Sequence, residues 1–587
     1  MKTNNLANPH EKLFPSQPNP RIPFRIYRRA PKEIWNDREF QLAKKRHIKA
    51  FSNIKCQGFR VTMANVFCKD EIQLSKLKSL IKILRHNKSL LSLKLPIQTI
   101  ETFHVNIILP HLKHLRALSN FTLELTDTRF ITSKIHRFFA LSAKNLKQLT
   151  HLNHNIYQNL QRPSKSLKTF RHFPTLRHLS NLSLSFDSTK TLTDQSFRPI
   201  SSHLSRLSSL TSLSLNLSNI KGLTRLSLSH LFSSISLLSL LTAFSLQFCS
   251  FQTLDSHLLI ELFQRLRNLP SLQELALSLS LCTIPRIPEQ QEPLTAGLPL
   301  LNPSSLRRIY LDFYSDFSDS DLSNLLIVLQ QFPSLTHLQL GFNQTPQITG
   351  RSLSNLHETL INFPFLTHFS FEENCQIDVS LALNSLSLCL NNLKHLQSLK
   401  INTYNNESLN NLVIQDFSTK LYQLSRLRYL YLNFKNCQKL LDRSLESIAF
   451  ALRGLENLES LHLSFEMIRE VTNQGAMALG SSIAQLKSLK NLQLKLGYCP
   501  NIGGEDLRSL TASLKRLNYL NEIYLTFGSF KDKSGSENYE DLVRVVSRLE
   551  TLRKIYLGIP KFGENKYCDQ IAEKASTSSK NFTIYWI

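Results

Sequence analysis

Glycine is scarce in this sequence, with 15 residues in 587, and tryptophan and methionine are scarcer still. Little glycine beside abundant leucine and serine excludes collagen-like and Gly-rich low-complexity chains and argues for a packed core. The nine cysteines are scattered. They form no Cys-x-x-Cys pair and no Cys/His cluster at ligand spacing, so neither a disulfide framework nor a zinc site is expected. An odd, patternless count suits buried thiols in a reducing compartment. Long apolar runs are missing too. A membrane helix needs about 18 consecutive apolar residues, and the nearest approach, Ile235 to Phe248, is interrupted by serines and Gln247. Met1-Lys2-Thr3-Asn4-Asn5 leads into polar, Pro-containing sequence without the apolar stretch of a secretory signal. No GxSxG, HExxH, Walker or GxGxxG phrase occurs, so catalysis has no visible seat. The expectation is a non-enzyme with no catalytic residues, no cofactor and no metal.

What is present begins with charge. Residues 1–170 hold 31 Lys+Arg against 9 Asp+Glu, a net of +22, while the other 417 residues carry only +5 of the total +27. A partner chosen by charge should therefore meet the N-terminal end. The densest basic run is Lys44-Lys45-Arg46-His47-Ile48-Lys49, preceded by Arg28 and Arg29. Arg28, Arg29, Lys44, Lys45, Arg46 and Lys49 read either as a contact for an acidic surface or import receptor, or as a solvated arm.

The dominant feature is a repeated phrase, Leu-x-x-Leu-x-Leu-x-(Phe/Leu). Copies start at Leu90, Leu118, Leu149, Leu179, Leu210, Leu241, Leu272, Leu306, Leu335, Leu366, Leu396, Leu427, Leu458, Leu489, Leu520 and Leu552. From Leu179 onward the spacing stays between 29 and 34 residues and is most often 31. Within a phrase the apolar residues alternate, which places them on one face of a short strand. Between phrases the period lengthens: Leu445, Ile448, Leu452 and Leu455 form one helical stripe, as do Leu507, Leu510, Leu514 and Leu517. Asp442, Thr472-Asn473, Asp319 and Asp321 read as helix starts, and Pro333 and Pro364 fall where a helix must stop. One strand plus one helix cannot bury its apolar face alone, so the units must stack. The expected fold is an α/β solenoid of about 16 units, parallel strands on the concave face and helices on the convex face. At roughly 4.8 Å per strand its inner arc is about 75 Å.

The phrase resembles the leucine-rich-repeat superfamily, and the helix-containing unit is most similar to the ribonuclease-inhibitor-like class. That class includes the repeat regions of F-box proteins and of the Ran GTPase-activating protein. The resemblance covers residues 90 to about 575. It departs from the family where Asn or Cys is common after the third leucine: Cys249, Asn343 and Asn374 comply, but Ser218, Ser280, Tyr314, Lys435, Glu466 and Gly497 do not. The expected organisation is a basic, loosely ordered arm over 1–50, a helical cap over 51–89, the solenoid over 90–575 with a loop insertion at 282–303, and a closing strand over 576–587.

Residues between the leucines should face the hollow. In the first half these are small and uncharged; in the second they include Arg308, Tyr310, His337, His368, Tyr429, Tyr431, His462, Tyr524 and Tyr556. Tyrosine and arginine offer large contact area at low entropic cost, so these nine are the candidate partner-binding residues. The plainer reading is that tyrosine suits a half-exposed strand. His111/His114 and His151/His154 lack neighbouring carboxylate or thiol ligands and read as surface or interface residues.

The expected function is a monomeric, non-catalytic protein-interaction scaffold in the cytoplasm, with a nuclear reading if the basic run acts as an import signal. One alternative is the substrate-recognition subunit of a ubiquitin ligase, which the resemblance permits. Ala30-Pro31-Lys32-Glu33-Ile34-Trp35 resembles an F-box opening, but Ala replaces the expected Leu and the closing Trp is absent. Another is binding of an acidic partner or nucleic acid through the basic end, by charge alone and without a recognition module. A GTPase-activating role would need a finger residue and an acidic tail that are not found.

Overall fold

The computed structural model describes residues 59–60, 90–98, 112, 114–126, 146–156, 176–189, 192–248, 256–279, 297–314, 317–343, 345, 347–374, 377–527, 535–559 and 581–586. All of them belong to one compact unit, Arg38–Ile587. The basic residues Arg28, Arg29, Lys44, Lys45, Arg46 and Lys49, the F-box-like segment and the expected arm lie outside the described residues.

Among the described residues eighteen strands follow one another in chain order: β1 Phe59–Arg60, β2 Ser92–Gln98, β3 Asn120–Thr126, β4 His151–Ile156, β5 Asn181–Ser185, β6 Ser212–Asn216, β7 Ala243–Gln247, β8 Glu274–Leu279 and β9 Arg308–Tyr314. Then come β10 His337–Asn343, β11 His368–Asn374, β12 Ser398–Thr403, β13 Tyr429–Asn433, β14 Ser460–Ser464, β15 Asn491–Lys495, β16 Glu522–Thr526, β17 Lys554–Ile559 and β18 Asn581–Trp586. Each pairs in parallel with its predecessor and successor, and among the described residues β1 pairs only with β2 and β18 only with β17, so the sheet does not close into a barrel. The sixteen repeated phrases are β2 to β17. The register is uniform: Leu213 lies beside Phe244 and Leu215 beside Leu246, and Leu430 beside Leu461 and Leu432 beside Leu463.

Helices return the chain along the opposite side. Those described are α1 Asp194–Leu204, α2 Arg225–Ile235, α3 Ser256–Leu266, α4 Asp319–Leu329, α5 Leu356–Leu360, α6 Val379–Cys389, α7 Asn411–Leu421, α8 Asp442–Leu452, α9 Asn473–Ile483, α10 Gly504–Leu514 and α11 Gly535–Arg548. Helix α8 buries Leu445, Ile448 and Leu452, whereas Leu455 lies beyond its end in the turn and is buried there. The architecture is thus the α/β solenoid that the periodicity predicts: one continuous ladder of buried Leu, Ile and Phe lies between the sheet and the helices.

Two polar ladders tie successive units together. Thr150, Ser180, Thr211 and Thr242, each directly before a strand, donate their hydroxyls to backbone carbonyls of the preceding unit at 3.0–3.1 Å. The other runs along the helix starts. Asp442, expected to start and cap its own helix, instead occupies the first helical position behind Leu441. Its carboxylate accepts from the Thr472 backbone N–H and hydroxyl of the next unit, at 2.8 and 2.5 Å. Asp194–Thr224 and Asp319–Thr349 repeat this contact. An Asp at the first helical turn also meets the positive end of the helix dipole, which explains its place there.

The turns after the strands share a left-handed residue at one register position: Ser188, Asn219, Asn405, Asn436, Met467 and Tyr498. Asn tolerates this conformation; Met and Tyr adopt it at a cost of about 1 kcal/mol. Within 51–89, expected to be helical, Phe59–Arg60 is a strand beside β2 and the remainder lies outside the described residues. Most of the 282–303 insertion also lies outside them, and Leu298–Leu300 forms a short 3-10 turn. Asn581–Trp586 is a strand parallel to β17. No helix among the described residues is long and apolar enough to cross a membrane.

Candidate functional site

Each strand sends two or three side chains away from the core, at alternate positions set by the pleat. All nine predicted binding residues occupy such positions, and all are half-buried. They do not form one patch. Arg308, Tyr310, His337 and His368 gather on β9 to β11; Tyr429, Tyr431 and His462 on β13 and β14; Tyr524 and Tyr556 on β16 and β17. Strands β9 and β13 stand about 20 Å apart at ordinary strand spacing.

In the first group Arg308 pairs with Glu274 on β8 at 3.0 Å. Beside it the His337 and His368 rings stack at 3.9 Å with 8° between their planes. The Thr336 and Thr367 hydroxyls donate to the Arg307 and Thr336 carbonyls, at 3.0 and 2.9 Å. Toward the histidine Nδ1 atoms, 2.9 and 2.8 Å away, they can therefore only accept. Both imidazoles are thus Nδ1–H tautomers whose Nε2 atoms are acceptors. Burial, the neighbouring His368 and Arg308 lower the His337 pKa to about 4, and burial lowers His368 as well, so the pair is neutral at pH 7.

Gly341 sits between Asp312 and Glu372 in the register of β9, β10 and β11. A Cβ there would stand 2.1 Å from the Asp312 carboxylate, so only glycine lets that carboxylate lie across the strand. Burial pushes Asp312 above the usual carboxylate range, and Gln339 donates to it at 3.2 Å. Glu372 takes the Lys400 ammonium at 2.6 Å, and Lys400 also lies over the Tyr431 ring at 5.3 Å.

In the second group His462 packs against Tyr429 and Tyr431 with ring centroids 5.4 and 5.7 Å apart. Its Nδ1 donates to Gln493 Oε1 at 2.6 Å, because an amide oxygen can only accept, and its Nε2 accepts from the Ser460 hydroxyl at 3.1 Å. Burial, with Lys495 nearby, holds His462 below its ordinary pKa. A shallow cavity of about 140 Å³ opens here, lined by Tyr431, Lys435, His462, Glu466, Gln493 and Lys495 among others. Tyr524 stacks on Tyr556 at 5.9 Å with Lys495 5.1 Å over the Tyr524 ring. The hydroxyls of Tyr310, Tyr429, Tyr431 and Tyr556 make no hydrogen bond among the described residues. Burial raises the pKa of the first three, so they stay protonated.

One expectation is corrected. His154, read as a surface or interface residue beside His151, is 1 % exposed and stands in register with Leu123 and Leu184. It takes a core leucine's place, and desolvation outweighs its backbone hydrogen bond at Leu123, lowering its pKa to about 4. The signal was available, since His154 falls on the apolar beat of its phrase. His151 does lie on the open face, where Asn181 and Thr150 fill its ring nitrogens. His111 lies outside the described residues. Lys435 and Glu466 stand beyond the strand ends and were not among the predicted site residues. Cys389, Cys437 and Cys499 are buried, and desolvation raises their thiols to about 12, 11 and 11, which makes them poor nucleophiles. No group of three or more His, Cys, Asp or Glu among the described residues could hold a metal ion. No protein-family model matches this chain, and no curated protein matches it either.

Proposed function

We propose that this chain is a non-catalytic protein-interaction scaffold of the leucine-rich-repeat kind, which holds a partner protein on the open sheet face between β9 and β17. The observation that carries this reading is the recurrence on one open face of half-buried tyrosines, Tyr310, Tyr429, Tyr431 and Tyr556, whose hydroxyls make no hydrogen bond among the described residues. Each ring is partly covered while its hydroxyl stays open to solvent, so a flat ring and a polar tip are both available to another chain. Tyrosine also contributes large contact area with few rotatable bonds, which favours it as an interface anchor. This open face with its shallow cavity suits a protein segment better than a small molecule, for which enclosed, largely apolar pockets are the rule.

The test is affinity capture with the full chain and with the Tyr429→Ala/Tyr431→Ala double variant, at low and high salt. Capture of one partner should fall at least tenfold in the variant while the melting temperature stays within about 2 °C, since surface changes alter stability little. Undiminished capture would sink the assignment of the face. Loss of capture by salt alone, with the tyrosines irrelevant, would favour the basic N-terminal end.

A further inference from the structure

Nearly every charge on the open face between β8 and β17 is already matched. Arg308 pairs with Glu274, Lys400 with Glu372 and Lys554 with Glu522. At the strand ends Lys435 leans toward Glu466 at 3.8 Å, and Glu466 also accepts from the Thr526 hydroxyl at 3.3 Å. Two charges have no ion-pair partner among the described residues: Asp312, which burial pushes toward its neutral form and to which Gln339 donates, and Lys495, whose ammonium rests over the Tyr524 ring.

Lys495 also lines the cavity beside His462, and two further donors face the same space. Because Gln493 Oε1 accepts from His462, the amide of that side chain is turned so that its two N–H donors are left over. The Tyr431 hydroxyl is likewise unused. The result, among the described residues, is an ammonium, an amide and a phenol with no matching acceptor, while the carboxylate of the lining, Glu466, is engaged by Lys435 and Thr526.

We infer that this cavity is the socket for one carboxylate side chain, an Asp or Glu in an extended segment of the partner protein. Three donors and a single uncompensated positive charge match one negative charge with two acceptor oxygens. A phosphoryl group fits less well: its second charge would face Glu466 across the cavity, and no arginine is present to grip it in two places. The inference rests on the reading of the open face as a protein-binding surface, and it adds the chemistry that face selects.

The test uses immobilised full-length protein and fluorescent degenerate peptide pools, randomised except for one central residue. Wild type should retain the Glu-centred pool roughly tenfold better than the Gln-centred pool, the scale of a charge-assisted hydrogen bond. Lys495→Gln should erase that preference, and Lys495→Glu should turn it toward a Lys-centred pool. Equal retention of Glu and Gln pools by wild type, with retention still lost in Tyr429→Ala/Tyr431→Ala, would overturn the socket and leave the docking face standing. Retention that ignores both the central residue and the tyrosines would overturn both. Stronger retention of a phosphoserine-centred pool would overturn the choice of carboxylate.

Discussion

Between Asn181 and Ser278 the outward positions of four consecutive strands carry Asn, Ser, Ala and Gln with a single charge, Glu274. Between Arg308 and Tyr556 the same positions carry five tyrosines, three histidines and charges of both signs, several of them paired. The inward positions do not change: Leu213, Leu215, Leu430 and Leu432 are equally buried. Core and surface are therefore written in alternate letters of one strand, and each can vary without the other. In a solenoid every unit touches only its neighbours, so a change of surface in one half need not reach the other.

The largest effect belongs to the shared core. Leu461→Ala should cost about 2–5 kcal/mol through the cavity it leaves, whereas Ser245→Tyr, which writes a second-half residue onto the first half, should stay within about 0.5 kcal/mol. Chemical denaturation of both variants checks this; equal costs would end the separation of inward from outward positions.

His154 is a place where the first half's core is weak. In the unfolded chain a histidine binds its proton near pH 6.5, but in the folded state only near 4. The folded form thus resists protonation, so its stability is complete above about pH 6.5 and declines as pH falls toward 4. The loss is about 3 kcal/mol at full protonation. His154→Leu should flatten that acid slope and raise the melting temperature at pH 5 more than at pH 8. A slope unchanged by the substitution would remove His154 as its source.

Smaller effects come from the ladders between units. Asp442→Ala removes two hydrogen bonds to Thr472 and should cost about 1 kcal/mol, seen as a lower denaturation midpoint. Smallest is Met467→Asn, which relieves a left-handed residue beside Asn436 of the preceding turn and should gain a few tenths of a kcal/mol. A loss there would mean that the Met467 side chain contributes packing of its own.

Much of this was legible in the leucine spacing. The strand positions, the direction each side chain points and the candidate tyrosines and histidines all follow from a period of two inside a period of about 31. Asp442 shows where legibility ended: its residue type marked a helix start, but its partner lies 30 residues away. Lys435 and Glu466 sit in turns, where no alternation applies and where a residue's direction depends on a left-handed neighbour.

Sequence alone determined that the units stack and which residues are inside, because burying alternate leucines is a local demand that each unit repeats. Tertiary structure alone decided which ring nitrogen carries the proton in His337, His368 and His462, that Gly341 makes room for Asp312, and that Lys495 meets no carboxylate among the described residues. Those outcomes turn on contacts with the neighbouring unit at distances near 3 Å, and only stacking brings atoms some thirty residues apart within that reach.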